Sequence, residues 1–210
     1  MPIELQTWPA AADAVVAACW FLFAVVFLLR PVFDFAREHR LRKKPPKAVE
    51  TKRDSRSLLG MALQGAGFAL VWSYRREYFT PLVPMAQALE AAVSIVTMAI
   101  AVAAFWLGLA ALRELGRQWA VVARVVEGHK LITGGPYRCV RNPIYLAMFG
   151  MMVATGLALS TWWIVLVAAL IFHLGTAARV HSEERLLRET FGAEFESYRR
   201  RVPAFFPRLL

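Results

Sequence analysis

The chain has 210 residues, of which 58% are hydrophobic, and it carries 25 Lys and Arg against 15 Asp and Glu for a formal net charge of +10. This is too apolar for an ordinary soluble domain. The basic residues flank apolar runs, where anionic lipid head groups are the nearer partner, and this argues against nucleic acid.

Apolar runs fall near residues 14–29, 58–72, 84–111, 143–159 and 162–178. Several are shorter than the ~20 residues of a perpendicular span, so their ends must reach into flanking residues. The expected fold is all-α, an integral membrane helical bundle of about five transmembrane helices. The first run has no basic stretch ahead of it and ends in Arg30 rather than at a small-residue cleavage site, so it reads as a retained helix. Residues 34–56 form a basic linker in which Pro45 and Pro46 block a continuous helix.

Loop charge sets the expected orientation. Residues 30–56 hold ten Lys and Arg, residues 112–142 hold six and the tail from Arg179 holds seven, whereas residues 73–81 hold only Arg75 and Arg76. The positive-inside rule then predicts the N-terminus outside and the C-terminus cytoplasmic, with Trp8, Trp72, Tyr74, Tyr78, Trp162 and Trp163 near the outer boundary. Cys19 falls within the first span and Cys139 in a cytoplasmic loop, so no disulfide is implied.

The third run is long enough to cross with tilt or to project as far as Gly116, and its Glu90 reads as interfacial. Thr133-Gly134-Gly135-Pro136-Tyr137 then predicts a turn. In Arg141-Asn142-Pro143, Asn is a favoured N-cap and Pro a favoured first helical residue, so the fourth helix is expected to start here with its N–H groups facing the cytoplasm. Such a start attracts an anion. Ser160-Thr161 predicts a tight outer connection, making the last two spans a helical hairpin whose cytoplasmic ends lie side by side. The fifth helix is expected to continue to Gly192, with Arg179 and Glu183 on one face by i, i+4 spacing. The tail closes with Phe191-Gly192, Phe195, Tyr198, Val202-Pro203 and Pro207, aromatic residues suited to covering a site.

Taken in order, His129-Lys-Leu131-Ile132, Gly135-Pro-Tyr137, Arg141-Asn142-Pro143-Ile-Tyr145, Glu183-Glu184, Phe191-Gly192-Ala-Glu-Phe195-Glu-Ser-Tyr198 and Val202-Pro203 resemble the isoprenylcysteine carboxyl methyltransferase and phospholipid methyltransferase group of membrane enzymes. The likeness runs from Leu115 to the end, about half the chain. It divides the sequence into residues 1–112, three helices and the basic linker on the substrate side, and residues 113–210, a methyltransferase core. One departure is central, since Asn142 stands where the family usually has histidine. Asn cannot take up a proton near neutral pH.

The resemblance implies S-adenosylmethionine-dependent methyl transfer at the membrane–cytosol interface, with membrane lipids and a lipophilic small molecule as partners. His129, Lys130, Leu131 and Ile132 would line the cofactor, with Tyr137 packing or hydrogen bonding. Asn142, Pro143 and Tyr145 would present the helix start to its amino-acid part, and Glu183, with Glu184 beside it, would accept from an ammonium or hydroxyl. Arg179 corresponds to a position that holds a carboxylate nucleophile, and Arg141 joins it as the second candidate catalytic residue. A carboxylate acceptor is already ionised and needs no general base, which tilts the expectation toward O-methylation as in prenylcysteine. N- or S-methylation of a phospholipid amine or hydrophobic thiol stays open, as does a non-catalytic binding scaffold.

Plainer readings stand beside these. Asn142-Pro143 is an ordinary helix start, and Arg179/Glu183 and Glu184/Arg188 suit exposed i, i+4 pairs of ~0.3–0.5 kcal/mol. Tyr137 and Tyr145 suit interface anchors. His173 and Gln64 read as helix-to-helix hydrogen-bonding groups outside the site. His181 has no second cluster with ligand spacing, so no metal is expected.

Overall fold

The computed structural model describes residues 7–41, 48–51, 55–75, 87–118, 124–126 and 130–205. Among these residues, five long helices carry the fold: α1 (Thr7–Leu41), α2 (Ser55–Ser73), α3 (Gln87–Leu115), α4 (Pro143–Leu159) and α5 (Trp162–Phe191), followed by a short α6 (Ala193–Arg201). The five apolar runs of the sequence therefore each correspond to one helix. The first helix goes further than its run, continuing through Pro31 to Leu41, and so takes up the start of the expected linker. Pro45 and Pro46 lie outside the described residues. One small departure from pure helix is an antiparallel ribbon, β1 (Ala48–Thr51) with β2 (Arg124–Val126), which joins the two basic segments that precede α2 and follow α3.

Among the described residues, three helices suffice by length and composition to cross a membrane: Trp8–Val26 within α1, Ala88–Leu115 within α3, and α5. The 17-residue α4 is apolar on every side because it is buried on every side. On one flank it packs into a core with α1 and α3 built on Val16, Phe105, Leu109, Met151 and Ala154. On the other it packs with α2 and α5 around Val71, Met152, Ile164, Ala168 and Phe172. Trp20 Nε1 donates to Thr155 Oγ1 at 2.9 Å and ties α1 to α4. The outer surface keeps stripes of large apolar side chains, among them Leu166, Leu170 and Leu174 at i, i+4 spacing on α5. Such a stripe suits hydrocarbon rather than water, and the molecule is an integral membrane helical bundle.

α2 and α5 approach most closely. A Cβ on Gly60 would lie 2.6 Å from the carbonyl oxygen of Gly175, and a Cβ on Gly175 would lie 2.6 Å from that of Gly60. Only glycine at both positions permits this backbone contact, the small-residue packing that substitutes for hydrophobic drive in lipid. At the far end, Ser160 and Thr161 form the connection between α4 and α5, and Ser160 Oγ donates to Tyr74 O at 2.7 Å, fastening the end of α2 to the hairpin. The hairpin thus brings the start of α4 beside the polar end of α5, as its short loop predicts.

Candidate functional site

α5 is apolar as far as His173 and polar beyond Arg179, and the groups at this change of character face the start of α4. Arg179 is buried, only 6% exposed, so it is not the exposed partner of an i, i+4 pair that its spacing alone allows. Its Nη2 lies 3.4 Å from Glu183 Oε1, its Nη1 donates to Gln64 Oε1 at 3.3 Å, and its guanidinium sits over the Tyr145 ring at 5.2 Å from the centroid. The Tyr145 hydroxyl donates to the same Glu183 oxygen. A buried guanidinium is costly unless it is paired and hydrogen bonded, and here a carboxylate, a neutral amide and an aromatic face share that task.

A second group adjoins the first. Arg141 Nη2 lies 2.7 Å from Glu184 Oε1 and Nε donates to that oxygen at 2.9 Å. The remaining arm of Arg141, Nη1, donates to the carbonyls of Arg199 and Val202. The backbone N–H groups of Arg141 and Asn142 donate to Pro203 O and Ala204 O at 2.9 and 3.2 Å. Arg141 therefore fastens the tail to the start of α4, with Phe205 of the tail against His173.

Asn142 occupies the N-cap position and Pro143 opens α4, as expected, but the Asn142 side chain does not cap the helix. Its Nδ2 donates to Ala204 O at 3.1 Å, and its ψ of 57° departs from the extended value of a capping residue. That bond directs the Asn142 amide toward the tail, and its oxygen makes no cap hydrogen bond to the helix start. The α4 start is thus left without a side-chain cap, where N–H groups suit an anion.

Tyr137 is buried in a one-turn 3-10 helix (Gly135–Arg138), and its carbonyl accepts from Tyr198 Oη at 2.7 Å. Burial pushes the Tyr137 hydroxyl up from its ordinary range, and Tyr198, Glu183 and Glu114 add to the rise. It stays a neutral donor near two carboxylates. Lys130 is exposed and its backbone N–H donates to Gln118 Oε1 at 2.7 Å, while Leu131 and Ile132 are half-buried. His129 lies outside the described residues. Glu184 and Arg188 do not pair with each other: Glu184 takes Arg141, and Arg188 takes Glu196 of α6. His173 is exposed and meets the Phe205 ring at 6.2 Å.

Two further residues belong to this neighbourhood: Gln64, whose expected helix-to-helix hydrogen bond is present, and Glu114, which the sequence reading leaves out. Gln64 is 2% exposed and donates through Nε2 to Thr176 Oγ1 at 2.8 Å. Its signal was the stripe Ser57, Gly60, Gln64, Gly67 and Val71, one buried helix face of small and polar residues. Glu114, near the end of α3, is exposed, and its carboxylate lies against the turn, beside where a Gly134 or Gly135 Cβ would stand. Gly135 has φ of +52°, which favours glycine there. No local pattern marks Glu114.

Residues 92–194 match the phospholipid methyltransferase family. The chain is 40% identical over 98 residues to a nickel-cobalt-cadmium resistance protein of Alcaligenes xylosoxydans xylosoxydans, covering 45% of each. It is 38% identical over 101 residues to a cobalt-zinc-cadmium resistance protein of Cupriavidus metallidurans, covering 47% of this chain and 45% of that one. A protein-S-isoprenylcysteine O-methyltransferase of Schizosaccharomyces pombe is 31% identical over 87 residues, 41% of this chain and 37% of its own. The match thus spans less than half the length of these relatives. The matching segment, residues 92–194, holds Tyr137, Arg141, Tyr145, Arg179, Glu183 and Glu184, and over it the chain is similar to the phospholipid methyltransferase family.

Proposed function

We propose that the chain transfers a methyl group from S-adenosylmethionine to a lipophilic acceptor at the membrane–cytosol boundary, and that the acceptor is a carboxylate, as the name of the S. pombe relative implies for that enzyme. The observation that carries this reading is the Arg179 guanidinium, buried against Tyr145 and Glu183 where α5 turns from apolar to polar. The donor set suits the cofactor: Glu183 and Glu184 accept from an ammonium or ribose hydroxyls, and the uncapped start of α4 at Asn142, Pro143 and Tyr145 takes a carboxylate. Lys130, Leu131 and Ile132 are assigned to the lining, with Tyr137 as a neutral donor; His129 joins them only by motif position.

S-adenosylmethionine, when bound, supplies a methyl carbon made electrophilic by its sulfonium. Arg179 holds the anionic oxygen of the acceptor, and Arg141, its donors engaged by Glu184 and the tail, positions the strap that keeps water out. A carboxylate needs no proton removed, so Asn142 in place of a histidine removes nothing the reaction requires. The protein contributes near-attack geometry rather than a covalent intermediate. Residues 1–112 supply the side from which the lipid acceptor enters, and residues 113–210 the cofactor core.

Methyl-transfer assays with a prenylcysteine acid, a phosphatidylethanolamine and a hydrophobic thiol test this. The acid is the expected substrate. Arg179→Lys keeps the charge and loses the planar fork, so turnover falls by about tenfold or more while S-adenosylmethionine affinity holds within about twofold. Transfer to the amine or thiol instead overturns the carboxylate assignment, and cofactor binding without transfer to any lipid favours a scaffold.

The two resistance proteins favour a second reading, that methyl transfer by this chain serves cellular tolerance of nickel, cobalt or cadmium. Growth of a metal-sensitive host with the wild type and with Glu183→Gln tests it. Equal sensitivity in both strains removes the reading.

A further inference from the structure

Gln64 lies on α2, outside the segment that matches the family, and the methyl transfer proposed above does not use it. Its amide makes two side-chain hydrogen bonds that depend on each other. Nε2 donates to Thr176 Oγ1 at 2.8 Å, and this turns Oε1 toward Arg179 Nη1, 3.3 Å away. A flipped amide would set its NH2 against the guanidinium N–H groups, donor against donor, so the donor-only guanidinium fixes the amide orientation and the Thr176 hydroxyl, accepting from the NH2, holds it there. Thr176 and Arg179 lie three residues apart on one face of α5, and Gln64 spans both. One turn earlier, Gly60 makes room for the arginine stem, since a Cβ there would fall 2.6 Å from Arg179 Cγ.

The Arg179 side chain is therefore bounded by three helices: its stem by Gly60 of α2, and its guanidinium by Gln64 of α2, Tyr145 of α4 and Glu183 of α5. Glu183 both orients Arg179 and offsets its charge. Gln64 is different, because a neutral acceptor fixes direction without adding negative charge beside an anion-holding group. We propose that Gln64 is a positioning residue which sets the direction of the Arg179 guanidinium and thereby where an anionic acceptor is held. The second half of this statement rests on the function proposed above; the first does not.

The test uses the full chain in lipid nanodiscs with isotope-labelled arginine, the Arg179 side-chain resonances being assigned by their loss in Arg179→Lys. In the wild type, restricted rotation gives separate signals for the Arg179 Nη protons. In Gln64→Met, which keeps length and removes the acceptor, these signals merge, and in Gln64→Glu, which restores an acceptor, they separate again. Unchanged Arg179 signals in Gln64→Met overturn the positioning role, whatever the assays give.

Kinetics supply the consequence. Gln64→Met raises the KM for the carboxylate acceptor by about tenfold with S-adenosylmethionine affinity unchanged by calorimetry. Gln64→Glu raises that KM as well, through its charge, but leaves the KM of an uncharged acceptor analogue alone. Should Gln64→Met not fold, this split in Gln64→Glu decides, and equal effects on both acceptors overturn the proposal. A wild type that binds no S-adenosylmethionine and methylates nothing removes the proposed function while the resonance result stands on its own.

Discussion

Arg141 and Glu184 are 43 residues apart in sequence and 2.7 Å apart in space. Their ion pair joins the residue just ahead of α4 to the polar end of α5, and the other arm of Arg141 reaches the carbonyls of Arg199 and Val202. With Pro203 O and Ala204 O accepting from the backbone of Arg141 and Asn142, one arginine gathers the hairpin and the tail at a single point.

Arg141→Lys keeps a charge at this point but cannot reach Glu184 and two carbonyls at once. Partly buried charged hydrogen bonds are lost, so stability falls by about 1–3 kcal/mol and the tail detaches first. Thermal unfolding measures the loss, and faster tryptic cleavage at Arg199 to Arg201 reports the tail. Glu184→Gln is expected to resemble it, with the double variant less than additive because both remove the same contact.

Glu183→Gln removes the charge that receives Tyr145 and Arg179 on one oxygen. If the carboxylate also meets the cofactor ammonium or hydroxyl, S-adenosylmethionine binding weakens by about 1.5–3 kcal/mol. Calorimetry on folded variant protein checks this, and an unchanged affinity takes Glu183 out of the cofactor site.

Orientation is open to a native reporter. Cys139 is exposed and Cys19 buried, so a membrane-impermeant maleimide reads one thiol. With ten Lys and Arg in residues 30–56 and two in residues 73–81, the N-terminus is expected outside and Cys139 cytoplasmic. Labelling of Cys139 should occur in inverted vesicles and not in right-side-out ones. A cysteine at Trp162, which is exposed at the opposite end of the hairpin, should show the reverse in a Cys139→Ser background. Ser160 is too buried to serve.

The Tyr198 hydroxyl, which donates to Tyr137 O, is pushed up to about 12 from its ordinary 10.0, chiefly by burial and against the lowering effect of Arg141. A group whose folded value is raised contributes stability that is complete below the unfolded value and is lost as pH rises through the folded one. The tail contact is therefore expected to weaken between about pH 10 and pH 12. Tyr198→Phe should flatten that part of the stability profile, followed by ultraviolet difference absorbance and thermal unfolding. An identical alkaline slope in wild type and Tyr198→Phe removes Tyr198 from the tail contact.

Length and polarity alone determined the helices. Five apolar runs separated by charge and proline can satisfy their backbone in lipid only as helices, and Pro143, Ser160-Thr161 and Gly192 punctuate them where the structure does. The pairing of Arg179 with Glu183 was legible too, because i, i+4 spacing is a local geometry. Periodicity within one helix says nothing of which neighbour it meets. That α2 supplies Gln64 to Arg179 follows from the contact of Gly60 with Gly175, 115 residues apart, and that Asn142 serves the tail rather than its own helix follows from where Ala204 lands. These depend on how the helices pack and where the chain returns, so only the tertiary structure decided them.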